Sequence, residues 1–458
     1  MTLFFVKYYF KRRNIHFLPK KKFFIFIVIA LFYSCWVLWV GNYWFFIGLI
    51  IITDLQTTKF VNWCFWRKRN PLRGKQKFAI EVFDSIIIAV LLAVFVQLFF
   101  VEAYTIPTSS MEKTLNIGDY ILVGKLRYGP RLPMTPFTIP FTHNTLRLKT
   151  IINSYNTWIE LPYHRLSGIS KIKNFDVVAF NYPEGDTIIK GQPEKSYYQV
   201  VRQLGSGYCR NHFEMQYRPI DKRDNYIKRV IGLPGDTVQI IHGYAQVNGK
   251  TEAMIQGIEN NYTIKSKGNS QDTALFNKVG ISFYDISYNI YNSIYSIPLT
   301  KNMYRTIVDS AYFKAIVRYE NIDHSTENNQ IFPFAHQYLW TEDNYGPLVV
   351  PKKNKTVSLS LNNLPLYKRI ITDYEGNKLY VHNDSIFIND SLVKSYSFKM
   401  DYYFMLGDNR HNSNDSRYWG FVPENHIIGK AIFVWLSLDK NKKWFSNIRW
   451  NKMFKFIN

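Results

Sequence analysis

Three apolar stretches near the N-terminus, at 23–40, 44–61 and 85–101, constrain the fold of this 458-residue chain most strongly. A helix that spans a bilayer needs about 17–25 apolar residues, a length that the first and third stretches approach. The second stretch is shorter because Asp54 interrupts it. Since lipid offers the backbone no hydrogen bonds, any stretch that enters a membrane must be helical. The sequence therefore predicts a membrane-embedded N-terminal region.

The basic residues around these stretches indicate their direction. Residues 1–77 contain fourteen Lys and Arg but one acid, Asp54, and the cations group before the first stretch and between the second and third. Cytoplasmic flanks carry such an excess, so both groups are predicted to be cytoplasmic. An even number of crossings must then separate them. We favour a hairpin that turns at 41–43 over a segment that dips into the bilayer and returns, and the third stretch leads all later residues out of the cytoplasm.

The charge and the cysteines exclude several other classes of protein. More than half of the net charge of +23 lies around the apolar stretches, and no recognition motif accompanies it, so we expect no nucleic-acid partner. The three cysteines, Cys35, Cys64 and Cys209, show neither a disulfide framework nor a metal-type spacing. We therefore expect no metal and no cofactor. A cleaved secretory signal is disfavoured for the first stretch, which is long and lacks a small-residue cleavage site after it.

After residue 101 the sequence reads as short strands. Segments rich in β-branched and aromatic residues alternate with turn residues, as at 176–180, 226–231, 237–241, 379–382 and 385–388. This pattern is typical of antiparallel sheets. Asn248-Gly249 and Asn389-Asp390 predict tight turns, and the strand-and-turn order of 379–393 loosely repeats that of 237–250. The predicted fold class is mainly β, with an antiparallel sheet, an inserted β-rich module and preceding transmembrane helices.

These patterns predict a division of the chain into seven segments. They are a basic cytoplasmic N-terminus (1–22), a transmembrane hairpin (23–61), a basic cytoplasmic segment (62–84), a transmembrane helix (85–101), the first part of a soluble β domain (102–250), an inserted β-rich module (251–400) and the second part of the β domain with the C-terminus (401–458). The insert itself contains no chemical motif.

Ser110 and Lys228 are the first candidates for chemistry. A serine hydroxyl is a weak nucleophile that needs an adjacent base, and a buried lysine can be that base because burial disfavours its charged form. Strand alternation places Lys228 on one face with Tyr226 and Val230, and Arg229 on the other, so one of the two cations is expected to face inward or lie at an edge. From these residues alone, a turn serine and an exposed strand lysine remain the alternative.

The segment 407–420 (Gly-Asp-Asn-Arg-His-Asn-Ser-Asn-Asp-Ser-Arg-Tyr-Trp-Gly) is dense in polar and turn-forming residues. Apolar segments precede and follow it, which predicts a loop held against a core. Its acids and arginines could pair with one another to set its shape: Asp408, Arg410, Asp415 and Arg417. Ser413 could orient a neutral lysine as the third group of a triad. A purely structural polar loop is the alternative.

Together these blocks resemble the motifs of bacterial type I signal peptidases, in the same order and behind a membrane helix. The blocks are the Ser-Met after Ile-Pro, the Lys-Arg that leads into Gly-Leu-Pro-Gly-Asp, and 407–420. The resemblance covers about residues 85–250 and 400–438, and the long insert and the region 128–131 resemble forms from the Bacteroidetes group. It implies a membrane-bound serine endopeptidase with a Ser/Lys dyad. Such enzymes cleave N-terminal signal peptides from exported preproteins after small residues, in an Ala-X-Ala pattern.

The resemblance also implies a location, partners and roles for matched residues. The catalytic domain would lie on the periplasmic side of the bacterial cytoplasmic membrane, with preproteins and the lipid bilayer as partners and the secretion translocon as a further candidate. Ser110 would be the nucleophile, Lys228 the general base and Thr108 an oxyanion donor. Ser413 would hold Lys228, and four residues would support the dyad: Asp408, Asp415, Arg417 and Arg229. Seven residues would shape shallow substrate pockets: Tyr104, Ile106, Pro107, Met111, Leu115, Tyr226 and Ile227.

The sequence departs from the common family pattern at three positions, and two other functions compete. Ser109 stands where Gly is frequent, His411 where Asp is frequent and Asn225 where an acid is common, which affects only fine specificity and loop electrostatics. One alternative is a self-cleaving or narrowly dedicated peptidase with the same dyad. The other is an inactive β-rich module that binds exported chains. Cleavage of diverse preproteins separates these from the main prediction.

Overall fold

The computed structural model describes residues 20–457 except 42, 59–60, 62–74, 148–150, 193–194, 253–254, 267–270, 282–284, 311, 314, 323–329, 440–441 and 443–445. The chain forms two compact units, residues 1–93 and residues 94–458. The basic segments at 1–19 and 62–74, together with Cys64, lie outside the described residues.

Among the described residues, two helices are long and apolar enough to cross a membrane. By length and composition these spans are Phe23–Val40, within the helix Lys20–Val40, and Phe78–Phe99, within the helix Lys75–Phe99. The predicted span 85–101 lies largely within the second of these helices, whose bounds differ from it at both ends. The helix begins earlier because residues 75–84 contain neither Pro nor Gly, and it ends before Val101, where a strand begins.

The second apolar stretch combines three kinds of helical turn in its described part. It forms the 3₁₀ turn Tyr43–Phe46, the helix Ile47–Thr53 and the π turn Asp54–Thr58, so its apolar helix at Ile47–Gln56 is shorter than a span. Gly41, at a φ of 73°, follows the first helix. The Tyr33 hydroxyl then donates a hydrogen bond to the Phe45 carbonyl at 2.7 Å. This contact holds the start of the stretch against the first helix.

An antiparallel sheet of eight strands organises the second unit, which confirms the predicted fold class. Its strands, in spatial order, are Val101–Thr105, Asp119–Gly124, Ile427–Ser437, Val177–Asn181, Asn225–Gly232, Tyr402–Leu406 and Val422–Pro423, with Lys455–Phe456 paired to Ile427–Ser437. Strands that are neighbours in this order come from distant parts of the sequence, as Asp119–Gly124 and Ile427–Ser437 do. The sheet therefore brings the three sequence blocks together.

The other described strands form smaller sheets. They are Thr145–Arg147 with Ile151–Asn153; Thr187–Ile189 with Met215–Tyr217; Thr237–Ile241, Tyr244–Val247, Lys250–Thr251 and Tyr345–Val349; Glu259–Lys265, Ser287–Asn289, Ile294–Thr300 and Ala315–Arg318; Thr356–Ser358 with Ser395–Ser397; and Leu379–His382, Ser385–Ile388 and Ser391–Leu392. The α-helices are Tyr197–Leu204, Ser206–His212, Gln271–Val279, Lys301–Asp309, Leu364–Arg369 and Ser416–Trp419. Short 3₁₀ or π turns occur at Ile220–Lys222, Ile370–Tyr374, Glu424–His426 and Trp450–Lys452.

The predicted insert at 251–400 is not one separate module. Its strand Tyr345–Val349 pairs with Thr237–Ile241, which lies before the predicted boundary. Residues on both sides of that boundary also share one apolar core, as Val238, Leu348 and Phe404 do. The four-stranded sheet that begins at Glu259 has an apolar cluster of its own, which contains Ile264 and Phe276. The second half of the insert is thus part of the main domain.

Two three-stranded meanders share one local design. The meander at 237–251 turns through Asn248 and Gly249, and the one at 379–392 turns through Asn389 and Asp390, all with positive φ. The Asn248 side chain accepts a hydrogen bond from the Thr237 backbone at 2.9 Å. The Asn389 side chain makes the same bond with the Lys378 backbone at 2.9 Å. Both predicted turns and the repeated pattern are confirmed, since the left-handed conformation suits Asn, Asp and Gly.

Candidate active site

Ser110 and Lys228 lie side by side although 118 positions separate them in the sequence. The Lys228 Nζ atom is 2.5 Å from the Ser110 Oγ atom. Ser110 lies in a turn after the strand Val101–Thr105, and Met111, only 2% exposed, anchors that turn in the core. Lys228 lies on the strand Asn225–Gly232 opposite Val178. A nucleophile and a candidate base are thus within hydrogen-bond distance.

Burial changes the acid–base behaviour of Lys228. The side chain is only 3% exposed, and removal from water lowers the pKa of Lys228 to about 8. The carboxylates of Asp415 and Asp408 act in the opposite direction, and the Arg417 charge adds to the lowering. A lysine with this pKa is substantially neutral near pH 8, so its lone pair can accept a proton.

Alternation along the strand predicted that one cation of the Lys-Arg pair faces inward or lies at an edge, and the structure buries both. Their strand is in the interior of the sheet, between Val177–Asn181 and Tyr402–Leu406, and side chains cover both of its faces. Arg229, 1% exposed, donates to both oxygens of Asp408 at 2.8 and 2.7 Å. This bidentate ion pair neutralises the buried guanidinium group and fixes the start of the loop 407–420.

Asp415 and Arg417 hold the end of that loop together. Arg417 donates from Nε and Nη2 to the two Asp415 oxygens at 2.9 and 2.8 Å, and the Gly407 backbone donates to the same carboxylate at 3.1 Å. Burial would raise the pKa of Asp415, but the Arg417 charge and hydrogen bonds bring it below the ordinary value. The pair Asp415–Arg417 is therefore confirmed. Asp408 instead pairs with Arg229, and Arg410 with Glu252 at 2.7 Å.

Gly407 lets the loop approach the nucleophile closely. A Cβ atom at this position would lie 2.1 Å from Ser413 Oγ and 2.6 Å from the Ser110 carbonyl oxygen. The Asn409 backbone donates to that same carbonyl at 3.2 Å. Ser413 is 6% exposed, and its hydroxyl has no hydrogen-bond partner within the described part of the chain. Its contact with Lys228 therefore stays a prediction, although Ser413 lies beside Gly407 and the turn of Ser110.

A cleft of about 300 Å³ opens beside the dyad. Thr108 lies on its wall, as do six of the seven residues predicted to shape substrate pockets, namely Tyr104, Ile106, Pro107, Met111, Tyr226 and Ile227. Leu115 corrects the prediction: it is fully buried and packs with Ile106 and Met111 in the core behind the cleft. Leu115 follows Ser110 closely in the sequence, but its side chain lies in the core and does not line the cleft.

Sequence reasoning missed several residues of the site. Asn412 and Asn414 line the cleft, and the Asn412 amide donates to Ser109 Oγ at 2.8 Å. Their position beside Ser413 in a dense polar block was the available signal. Glu252 and Asp343 hold the loop from within the predicted insert: Glu252 pairs with Arg410, and Asp343 contacts His411 at 3.0 Å. No local pattern marks these two acids.

Within the part of the chain that the structure describes, no group of three or more His, Cys, Asp or Glu side chains is placed to hold a metal ion. Cys35 is exposed and Cys209 is buried, and both are free thiols.

The family model described as signal peptidase, peptidase S26, matches residues 79–304 and 394–436, more than half of the chain. The chain belongs to this family. The matched ranges contain Ser110, Lys228 and the loop 407–420. The family match therefore covers the residues that form the candidate active site. The chain is accordingly a serine-type hydrolase of the signal peptidase class, as the resemblance implied.

Curated relatives agree with the family. Signal peptidase I of Buchnera aphidicola subsp. Schizaphis graminum is 27% identical over 355 residues, which cover 77% of this chain and 74% of the relative. Signal peptidase I of Haemophilus influenzae is 24% identical over 85% of this chain and 78% of its own length. Signal peptidase I of Helicobacter pylori is 24% identical, with 81% of this chain and 89% of the relative covered. These alignments extend over most of each protein.

Proposed function

We propose that this signal peptidase family member removes N-terminal signal peptides from exported preproteins, with Ser110 as nucleophile and Lys228 as general base. The single observation that carries the proposal is the 2.5 Å distance between Ser110 Oγ and the buried Lys228 Nζ. Since burial lowers the pKa of Lys228 to about 8, the amine can be neutral when substrate binds. Proton transfer from serine to this amine activates the nucleophile.

The reaction proceeds by acyl transfer. Neutral Lys228 takes the Ser110 proton while the Ser110 oxygen attacks the scissile carbonyl carbon. The ammonium group then donates that proton to the leaving amine as the peptide bond breaks, which leaves an acyl ester on Ser110. Neutral Lys228 next takes a proton from water, whose oxygen attacks the ester carbonyl carbon. The bond between that carbon and the Ser110 oxygen breaks, the carboxylic acid product leaves, and the Lys228 ammonium group returns its proton to the Ser110 oxygen. The Thr108 hydroxyl and the Ser110 backbone N–H stabilise the oxyanion, and one such donor typically contributes about 3–4 kcal/mol.

The cleft favours small side chains before the cut. Its wall beside the dyad includes Ile106, Met111 and Ile227, which belong to the apolar core or pack against it. Alanine at the first and third positions before the cut, the Ala-X-Ala pattern, fits these walls. Overpacking such a site with a larger residue costs binding energy.

The proposed location is the outer, periplasmic face of the bacterial cytoplasmic membrane, with a multi-pass anchor. The two spans, Phe23–Val40 and Phe78–Phe99, and the basic residues that flank them in the sequence support this orientation. A reporter fused after residue 64 should then report the cytoplasm, and one after residue 42 the outside. The opposite pattern would reject the hairpin and the orientation of the domain.

The decisive experiment compares Ser110→Ala and Lys228→Ala with the wild-type full chain in detergent. The substrates are several unrelated preproteins, and the cleavage site is mapped by mass spectrometry. Both variants should lose cleavage, and Lys228→Arg should also be inactive because a guanidinium stays protonated at usable pH. The matched controls Ser391→Ala and Lys250→Ala remove an exposed hydroxyl and an exposed amine and should retain cleavage. Full processing by Ser110→Ala would refute the proposal.

A further inference from the structure

A second cavity, of about 200 Å³, adjoins the catalytic cleft. Tyr104 and Asn225 line both spaces, so the cavity continues the cleft away from the dyad. Asn225 precedes Lys228 by three residues on the same strand, which corresponds to about 10 Å in an extended chain. A peptide that lies extended along the cleft would reach the cavity within a few residues of its scissile bond.

Most charged groups of this cavity already have partners. Glu102 pairs with Lys125 at 2.8 Å. Arg131 donates to the Asn425 carbonyl at 2.6 Å and to Asn181 Oδ1 at 2.7 Å. These contacts hold two of its cations and one of its carboxylates in place.

Two further ionisable residues of this cavity, Asp221 and His143, also make hydrogen-bond contacts within the chain. Asp221 Oδ2 accepts bonds from the Met134 and Thr135 backbones at 3.1 and 3.0 Å and from the Thr135 hydroxyl at 2.9 Å. A ring nitrogen of His143 lies 2.8 Å from the Arg223 carbonyl oxygen. The second Asp221 oxygen, Oδ1, is buried and has no hydrogen-bond partner among the described residues.

Lys222 differs from all of these neighbours. It lines the cavity and is only 7% exposed, yet its amine has no hydrogen-bond or ion-pair partner within the described residues. The Lys222 Nζ atom lies over the aromatic ring of Tyr155, 5.8 Å from the ring centroid. Burial lowers the pKa of Lys222, whereas the carboxylates of Asp221 and Glu102 raise it. The Lys222 amine therefore lacks the acceptor that the other cations of the cavity have, and a ligand carboxylate would supply one.

We infer that the Lys222 cavity is a substrate subsite for an acidic side chain that lies about four to six residues before the cleavage site. This inference rests on the proposed function, in which the residues just before the cut lie along Tyr104 and Tyr226. One unpartnered donor suits one carboxylate oxygen of a peptide side chain. A phosphate group, which normally binds several donors at once, fits a single amine less well.

The test measures kcat and KM of the full chain in detergent on one preprotein with Ala, Glu, Gln or Lys at single positions. The positions are the fourth, fifth and sixth before the cut and the second after it. For the wild type, Glu at one of the three positions before the cut should lower KM about 5- to 30-fold relative to Ala, with kcat unchanged. Lys at that position should raise KM.

Variants of Lys222 then test whether the lower KM for Glu substrates depends on the Lys222 amine. Lys222→Met should abolish the difference between Glu and Ala substrates while cleaving the Ala substrate as well as the wild type does. Lys222→Arg, which keeps a cation, should restore part of the difference. Lys250→Met, at an exposed strand position, should behave as the wild type. Cleavage of the Ala substrate also reports correct folding of each variant.

Several results would overturn the inference. They are an unchanged Glu-to-Ala ratio in Lys222→Met, a wild type without any preference for Glu, or a preference only at the position after the cut. Another is Lys222-dependent stimulation by phosphatidylglycerol vesicles but not phosphatidylcholine vesicles, which would assign the cavity to a lipid phosphate. Failure of the proposed function is distinguishable, because it would appear as Ser110-independent cleavage of the Ala substrate.

Discussion

Replacing Lys228 with Met should stabilise the folded protein below pH 8. The substitution keeps a long unbranched side chain but removes a charge that the fold holds at 3% exposure. The pKa of Lys228 is about 8 in the folded chain and 10.5 for an unburied lysine. At about 1.4 kcal/mol per pKa unit, this difference corresponds to about 3 kcal/mol of stability lost to the buried ammonium group.

The sign follows from proton linkage. Because the folded state has the lower pKa, the unfolded state binds the extra proton between pH 8 and 10.5, and wild-type stability rises with pH across that window. Below pH 8 both states are protonated and the full destabilisation of about 3 kcal/mol is present. Above pH 10.5 both states are neutral, and the pH-dependent advantage of Lys228→Met disappears.

The assay is chemical unfolding of the full chain in detergent, followed by tryptophan fluorescence at several pH values from 6 to about 10.5. The informative quantity is the difference in unfolding free energy between Lys228→Met and wild type, since other titrating groups cancel in it. Lys250→Met serves as the control, because Lys250 is exposed and its loss should add no pH-dependent difference. A difference for Lys228→Met that stays constant across the range would refute the buried-base reasoning.

Four further outcomes are expected. The kcat/KM of the wild type should rise about tenfold per pH unit toward a plateau above pH 8, where Lys228 is neutral; a flat profile from pH 6 to 9 would contradict this. Gly407→Ala should lower kcat strongly, because its Cβ would meet the Ser110 carbonyl, and mass-mapped preprotein cleavage measures the loss. Asp415→Asn should lower the unfolding free energy by about 3–5 kcal/mol, since Arg417 is left buried without its carboxylate; a change below 1 kcal/mol would argue against the pair. Leu115→Ala should destabilise by about 2–5 kcal/mol through a core cavity without widening substrate preference.

Local sequence patterns predicted much of the fold. The strands at 237–241, 379–382 and 385–388 have the bounds that apolar alternation predicts, and the Asn-containing turns adopt positive φ. These features depend on a few neighbouring residues, so the sequence contains them directly. The helix that ends at Phe99 was less well bounded, because polar residues before the apolar run are also good helix formers.

The dyad could be predicted only in part. Ser110 and Lys228 were identifiable because a serine in a turn, a lysine in a strand and a polar loop matched a known pattern of blocks. Their 2.5 Å separation, and the burial of both Lys228 and Arg229, depend on an interior strand covered on both faces. Period-two alternation alone suggested that one of the two cations would face inward or lie at an edge, because it does not reveal what covers the second face.

By itself, the amino-acid sequence determined the membrane-length segments, the β-rich class, the short turns and the identity of the reactive side chains. The tertiary structure decided which charges meet. Asp408 binds Arg229 rather than an arginine of its own loop, Arg410 binds Glu252, and Lys222 keeps an amine beside the cleft without an acceptor. Periodicity and turn chemistry act over a few residues, whereas the partner and the pKa of a buried charge depend on segments that only the folded sheet brings together.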